Sequence, residues 1–206
     1  MNDTFLLKND FIDLRSQSCR FNLRKIIKCK PSVQTECAIE KQDNSIIITI
    51  NAEDSDMLNL IASVSEPNTD NFLYDEDCVQ IAIAEGIKAS VDDFILINPR
   101  GSRRIFGSAS NWEIKNALRA LGWQMEIRIP IKENINAIGL SVHRYYRGVT
   151  GEVHSLWRNL PHPLEPSKFV CLILCGTECA EEISLNWHKQ TTRTEKKHIR
   201  NTVQKI

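Results

Sequence analysis

The sequence has no long hydrophobic run, and its longest apolar stretches fall well short of about eighteen residues. It therefore predicts no transmembrane helix. The N-terminal segment, MNDTFLLKND, lacks the basic start and the apolar stretch of a secretory signal. We expect a soluble, cytoplasmic protein with no membrane partner. If the chain is part of a longer polypeptide and has been cut out as a module, the expectation changes to an extracellular location.

Signatures of catalysis and of metal binding are also missing. The chain has no nucleophile elbow, no glycine-rich phosphate loop and no H-E-x-x-H motif. Its seven cysteines include no C-x-x-C pair, which favours free thiols over a zinc ribbon or a disulfide framework. We therefore expect no enzymatic activity and no cofactor. Calcium stays open as an oxygen-ligated ion beside the acidic runs at 75–77 and 92–93.

Net charge is zero, but the charges are unevenly distributed along the chain. Between Glu36 and Asp93 there are fourteen acidic residues against two basic ones, whereas Asn98 to Arg147 holds nine basic residues against three acidic ones. Such segments are expected to attract each other across a fold. A nucleic-acid partner is not expected, because the basic residues form no single run with interleaved aromatics.

The clearest period in the chain is the alternation over Gly122 to Ile131, GWQMEIRIPI. Trp123, Met125 and Ile127 recur at every second position, which is the period of a strand with one face in a core. Pro130 should mark the end of this strand because proline cannot donate a ladder hydrogen bond. We expect it to be a central strand of the fold.

Other short apolar segments separated by turn signals predict further strands. They lie at 33–39 and 46–53, which form a hairpin, and at 56–67, 77–85, 92–98, 137–145 and 168–175. The segments 21–29 and 112–122 permit either helix or strand. This pattern predicts an all-β fold, an antiparallel β-sandwich with two sheets as in immunoglobulin-like domains, over residues 1–179. The sequence predicts a short basic C-terminal tail, helical or disordered, over residues 180–206.

Aromatic residues lie just outside several predicted strands, near carboxylate, amide and guanidinium groups. They are Tyr74, Trp112, Tyr145, Tyr146 and Trp157. A pyranose stacks its C–H face on such a ring, while its hydroxyls need donors and acceptors. These surroundings favour sugar binding, and the alternative is that the rings fill the core or its rim.

Four stretches carry a family pattern in the same order. They are YDEDCVQIAI from Tyr74, FILINPRG from Phe94, GWQMEIRIP from Gly122 and SLWRNLPHPLEPSKFVCLIL from Ser155. Together they resemble the family 9 carbohydrate-binding modules and their relatives with a DOMON-like β-sandwich. The resemblance implies a non-catalytic carbohydrate-binding module that grips the end of an oligosaccharide or polysaccharide between two aromatic side chains. The implied carbohydrate-binding residues are Tyr74, Asp77, Gln80, Asn98, Arg144 and Trp157.

The sequence departs from the family pattern at several positions. Gln80 stands where a Glu is usual, Ser141 where an Asn is usual, and Val170 where a Gly follows the preceding Phe. Two alternatives therefore stay open. One is a scaffolding or regulatory sandwich without a ligand. The other is a haem-binding DOMON-type domain, which needs axial ligands such as Met and His on facing strands; the candidate methionine, Met125, is in phase with the core residues.

Overall fold

The computed structural model describes residues 11–16, 18–22, 24–25, 35–54, 57–67, 73–85, 93–133, 135–146, 152–155 and 169–203. Within these residues the strands are β1 (Phe11–Asp13), β2 (Cys19–Asn22), β3 (Arg24–Lys25), β4 (Thr35–Gln42), β5 (Ser45–Glu53), β6 (Cys78–Glu85), β7 (Asp93–Ile97), β8 (Arg103–Phe106), β9 (Glu113–Arg119), β10 (Gly122–Pro130), β11 (Ala137–Tyr146), β12 (Glu152–Ser155) and β13 (Val170–Ile173). Three 3-10 turns lie at Met57–Asn59, Leu73–Asp75 and Gly107–Asn111, and one helix, α1, spans Ala180–Val203.

The strands form two sheets. One has five strands in the order β2-β4-β5-β10-β9, all antiparallel. The other has the order β1-β13-β11-β6-β7-β8, with β12 pairing both β11 and β3. Only β1 and β13 run parallel among the paired strands described. The predicted all-β sandwich is confirmed, and so is the hairpin of β4 and β5.

One apolar core lies between the two sheets. Ile50 and Met125 from the five-stranded sheet belong to the same buried cluster as Ile81 and Val142 from the eight-stranded sheet. Each of these side chains comes from an alternating position of its strand, as a half-buried sheet requires. The strand predicted at Gly122 to Ile131 is β10, which pairs with β5 on one side and β9 on the other. Its predicted central role is confirmed.

The segment 112–122, whose sequence permits helix or strand, forms β9 and a tight connection into β10. Gly122 opens β10 with φ at +138°, a conformation that L side chains rarely adopt. A Cβ atom there would lie 2.1 Å from the carbonyl oxygen of Ala52 on the neighbouring strand. Glycine is therefore required where this hairpin passes β5.

The strand predicted at 56–67 does not form. Apart from the 3-10 turn Met57–Asn59, the described part of the segment is irregular, and three of its backbone N–H groups donate to side chains. The Ile61 N–H donates to the Asp77 carboxylate at 2.6 Å, and the Ser63 and Val64 N–H groups both donate to Glu76 at 2.8 Å. These two carboxylates satisfy backbone donors that a neighbouring strand would otherwise pair. The short strands β8 and β12 are additions that no sequence pattern predicts.

The predicted C-terminal tail is helical from Ala180 to Val203. Its Trp187 packs against the outer face of the eight-stranded sheet in a second buried cluster with Phe169 and Cys171. Glu181 and Glu182 lie in the first turn, where their negative charges interact favourably with the helix dipole. No helix among the described residues has both the length and the apolar character that a membrane crossing needs.

Candidate functional site

The outer face of the eight-stranded sheet, away from the core, changes character along its length. At one end helix α1 covers the small side chains of Ala82 and Ala84. At the other end Leu73, Cys78, Leu96 and Tyr145 form a third buried cluster, with Tyr74 packed against it. Three polar side chains lie between these two apolar patches: Gln80 of β6, and Ser141 and His143 of β11. We call these three residues the polar row.

The polar row is compact because strand register brings its members together. Gln80 and His143 are direct cross-strand partners, and Ser141 precedes His143 by two positions on the same face. Their residues are 0%, 2% and 2% exposed, respectively. The Gln80 Oε1 atom accepts hydrogen bonds from the hydroxyls of Tyr74 at 2.8 Å and Tyr145 at 3.0 Å.

Each member of the polar row nevertheless carries one polar atom without a hydrogen-bond partner. These atoms are Gln80 Nε2, Ser141 Oγ and His143 Nε2, and none of them bonds to any described residue. Leaving a buried donor or acceptor unsatisfied costs about 1–3 kcal/mol, and native proteins contain few such atoms. Three such atoms lie together on one patch of the sheet.

His143 and Tyr74 of this patch are uncharged near neutral pH. Burial lowers the pKa of His143 from 6.5 to about 4, so its imidazole is neutral. Burial also raises the pKa of Tyr74 to about 12, which keeps its hydroxyl protonated. The Tyr74 ring meets that of Tyr145 edge-on, with 5.1 Å between centroids. The patch therefore offers neutral donors and acceptors beside two aromatic rings, of which Tyr74 is the partly exposed one.

Asp77 and Asn98, two of the sequence-predicted sugar contacts, hold loops in place. Asp77 accepts the Ile61 N–H described above. The Asn98 amide donates to the Val64 carbonyl and to Glu76 Oε2, both at 2.8 Å, and its oxygen accepts from the N–H groups of Arg100 and Ser102. These bonds fix the turn that follows β7.

Glu76 is the centre of this loop network, a role that the sequence did not predict although Glu76 lies in the acidic run at 75–77. Burial alone would raise its pKa, but hydrogen bonds from Asn98, Ser63 and Val64 outweigh burial and lower the pKa below its usual range. Its carboxylate thus connects the irregular segment at 61–64 to the end of β7.

Arg144 lies on the opposite face of β11 from the polar row. It is fully buried between the sheets, where its Nη1 donates to Thr35 Oγ1 at 2.9 Å and to the Glu53 carbonyl at 3.0 Å. Its guanidinium also lies over the rings of Trp123 and Tyr146. Because successive strand residues point to opposite faces, the structure does not bring Arg144 together with Gln80.

Of the predicted sugar contacts, the structure brings Tyr74 and Gln80 into direct contact. Trp157, predicted to stack on the other side of the sugar, lies outside the described residues. Sequence reasoning missed Ser141, His143 and Tyr145 as neighbours of Gln80. The signal was available, because all three fall on the face of β11 opposite Leu140 and Val142.

No cluster of three or more metal-ligating side chains occurs in the part of the chain that the structure describes. The chain matches no protein-family model. It is also similar to no curated protein and to no solved structure.

Proposed function

We propose that this chain is a non-catalytic carbohydrate-binding module whose polar row, Gln80, Ser141 and His143, hydrogen-bonds the hydroxyls of an oligosaccharide or polysaccharide. The observation that supports the proposal is the set of three buried polar atoms without partners, gathered on one patch of the outer face. Tyr74, partly exposed at the edge of this patch, supplies an aromatic ring for the C–H face of the sugar.

The chemistry of the polar row matches that of a sugar better than that of an ion. A hydroxyl group both donates and accepts, so it can take a hydrogen bond from Gln80 Nε2 and exchange one with Ser141 Oγ or a neutral His143. An anion or cation placed here would lose its hydration with no opposite charge in the polar row. A neutral, polyhydroxylated ligand avoids that penalty.

A scaffolding sandwich without a ligand is the second candidate function. It is favoured by the positions of Asp77, Asn98 and Arg144. These residues were predicted to contact a sugar, but their side chains form hydrogen bonds within the fold. A haem site between Met125 and His143 is disfavoured, since Met125 lies in the core between the sheets and His143 faces outward.

Glycan-array binding followed by calorimetry on the best glycan tests the proposal. Replacing Gln80 by Leu, or Ser141 by Ala, should each weaken binding about 3- to 10-fold, the effect of one lost hydrogen bond. Gln124→Leu, on the other sheet, is the matched control and should leave affinity unchanged. Trp157→Ala tests the predicted stacking partner separately. Absence of saturable sugar binding at millimolar concentration would contradict the proposal and favour the scaffold.

A further inference from the structure

Strand β9 forms one edge of the five-stranded sheet. Among the described strands it pairs only with β10, so no described strand takes the hydrogen-bonding groups along its other edge. Five of its seven residues are exposed. An exposed strand edge is a template for pairing with another chain, and native sheets commonly shorten such edges. The edge strand β8 of the other sheet has only four residues, so β9 is the better-formed edge for a further strand.

The inner face of β9 leaves an apolar side chain uncovered. Leu118 is the cross-strand partner of the core residue Trp123, so its side chain lies on the face directed toward the other sheet. It is nevertheless 55% exposed. Ile114, four positions earlier on the same face, packs at the margin of the core. A strand added beside β9 would cover Leu118.

The sequence of β9, EIKNALR, is complementary to itself when two copies run antiparallel. Glu113 begins the strand and Arg119 ends it. If two copies pair about Asn116, Glu113 of one copy lies opposite Arg119 of the other, and symmetry repeats this pair. In the same register Ile114 of one copy lies opposite Leu118 of the other. Both the charges and the exposed apolar side chain therefore find a partner.

The registers next to this one are unfavourable. Moving the centre by one position places Lys115 opposite itself or opposite Arg119, and like charges that face each other are destabilising. In the register centred on Asn116, Lys115 lies opposite Ala117 and keeps its ion pair with Glu126, which measures 3.0 Å. Only this register pairs all seven residues of β9.

The two end charges of β9 are held only loosely within the chain. Glu113 lies 3.8 Å from Arg128, and its side chain is 75% exposed. Arg119 donates a hydrogen bond to Gln124, also on the exposed face. Exposed contacts of this kind contribute little to stability, so both side chains can turn toward a neighbouring strand at small cost.

We propose that a second copy of this chain binds along β9, so that two five-stranded sheets join through antiparallel β9 strands into one continuous sheet. Backbone hydrogen bonds between the strands supply affinity, and the pairs of Glu113 with Arg119 select the register. Contact between Leu118 and Ile114 removes apolar surface from water. The polar row lies in the other sheet, so the inference stands independently of sugar binding.

Sedimentation equilibrium of the full chain, over a concentration series that reaches about 1 mM, tests the dimer. We expect the measured mass to rise from 23.6 kDa toward twice that value. Leu118→Ser should weaken the association about 10-fold, because the apolar contact that it removes occurs twice in the dimer. A mass that stays at 23.6 kDa throughout the series, or that grows beyond a dimer, would overturn the proposal.

Charge reversal tests the register. Glu113→Arg and Arg119→Glu each place like charges opposite each other twice, and each should weaken self-association about 10- to 30-fold. An equimolar mixture of the two variants should form a heterodimer about as stable as the wild-type dimer, because both of its end pairs again join opposite charges. Misfolding of either variant cannot produce this rescue.

Glu40→Arg is the matched control, since it makes the same charge change at an exposed position of β4, away from the β9 edge. It should leave the association unchanged. If the mixture of Glu113→Arg and Arg119→Glu does not associate, or if neither variant weakens the dimer, the proposed pairing of β9 with a second copy is wrong.

Discussion

His143 is a titratable side chain kept neutral by burial, and this couples the stability of the fold to pH. Its pKa in the folded chain is about 4, compared with 6.5 for an exposed histidine. Between pH 6.5 and pH 4, His143 is therefore protonated in the unfolded chain but neutral in the folded chain. The free energy of unfolding falls as the pH is lowered through this window. Over that window the loss should be about 3 kcal/mol at 1.36 kcal/mol per pKa unit.

Urea denaturation between pH 7 and pH 4.5 measures this effect. We expect His143→Gln to lose less free energy of unfolding over that range than the wild type, by about 2 kcal/mol, because Gln does not titrate. Ser141→Ala, a neighbour on the same face, should keep the wild-type pH dependence. Parallel curves for wild type and His143→Gln would show that His143 is not buried and neutral.

Glu76 concentrates several hydrogen bonds on one carboxylate. Glu76→Gln keeps one acceptor oxygen, but its new NH₂ group faces the Asn98 NH₂ donor that Oε2 now accepts from. We expect a loss of about 2–3 kcal/mol in the free energy of unfolding, as for buried hydrogen bonds to a charged group. Chemical denaturation measures it. Glu66→Gln, an exposed carboxylate of the same loop, should be neutral, and an equal loss there would contradict the assigned role of Glu76.

At the scale of elements, helix α1 depends on the absence of a side chain at one strand position. A Cβ atom on Gly139 of β11 would lie 2.5 Å from two ring carbons of Trp187 and 3.0 Å from the Phe169 Cβ. Gly139→Ala should therefore push the helix off the sheet or strain β11, at about 1–3 kcal/mol, the usual effect of overpacking. Denaturation midpoints and proteolysis of the helix measure the loss.

A double substitution separates helix docking from strand strain. Adding Trp187→Leu to Gly139→Ala frees the space that the methyl group needs, so the two changes together should be less destabilising than their sum. Leu185→Ala, 53% exposed on the same helix, is the control and should be neutral. Strict additivity of the two changes would mean that Gly139 and Trp187 are not in contact.

Elements with a clear period could be predicted from sequence, and those defined by tertiary contacts could not. The alternation in β10 follows from one buried face, which a single sequence displays, whereas β6 and β11 are buried on both faces. The segment 56–67 has enough apolar residues for a strand, but three of its backbone N–H groups donate hydrogen bonds to the carboxylates of Asp77 and Glu76. Those carboxylates are distant in sequence, so local pattern could not reveal the competition.

At the scale of the whole molecule, the uneven charge distribution predicted attraction between segments but not the partners. The acidic segment supplies Glu85 and Asp54, and the basic segment supplies Lys132 and Arg144, which meet them across the sandwich. The site was partly predictable in the same way. Tyr74 and Gln80 are close in sequence and meet in space. Arg144 lies two and four positions after the core residues Val142 and Leu140, so its side chain is on the same face of the strand. That face is the one between the sheets.

Arg144 and Asp54 form a buried charged pair that joins the two sheets. The guanidinium Nη2 lies 3.9 Å from Asp54 Oδ2, and Nη1 reaches Thr35 and the Glu53 carbonyl of the opposite sheet. The Tyr146 hydroxyl also donates to Asp54 at 3.2 Å. Because both charges are fully buried, neither is solvated when its partner is removed.

A double-mutant cycle on this pair tests whether the two sheets are joined by charge. Arg144→Met should cost about 3–5 kcal/mol of the free energy of unfolding, because it leaves the Asp54 carboxylate buried without its cation. Asp54→Asn in the same background should recover part of that loss, since an amide needs no counter-charge, with a coupling of about 1–3 kcal/mol. Lys115→Met, which breaks the surface pair with Glu126, should leave the urea midpoint nearly unchanged. Losses that simply add for Arg144 and Asp54 would show that packing, not this charged pair, holds the sheets together.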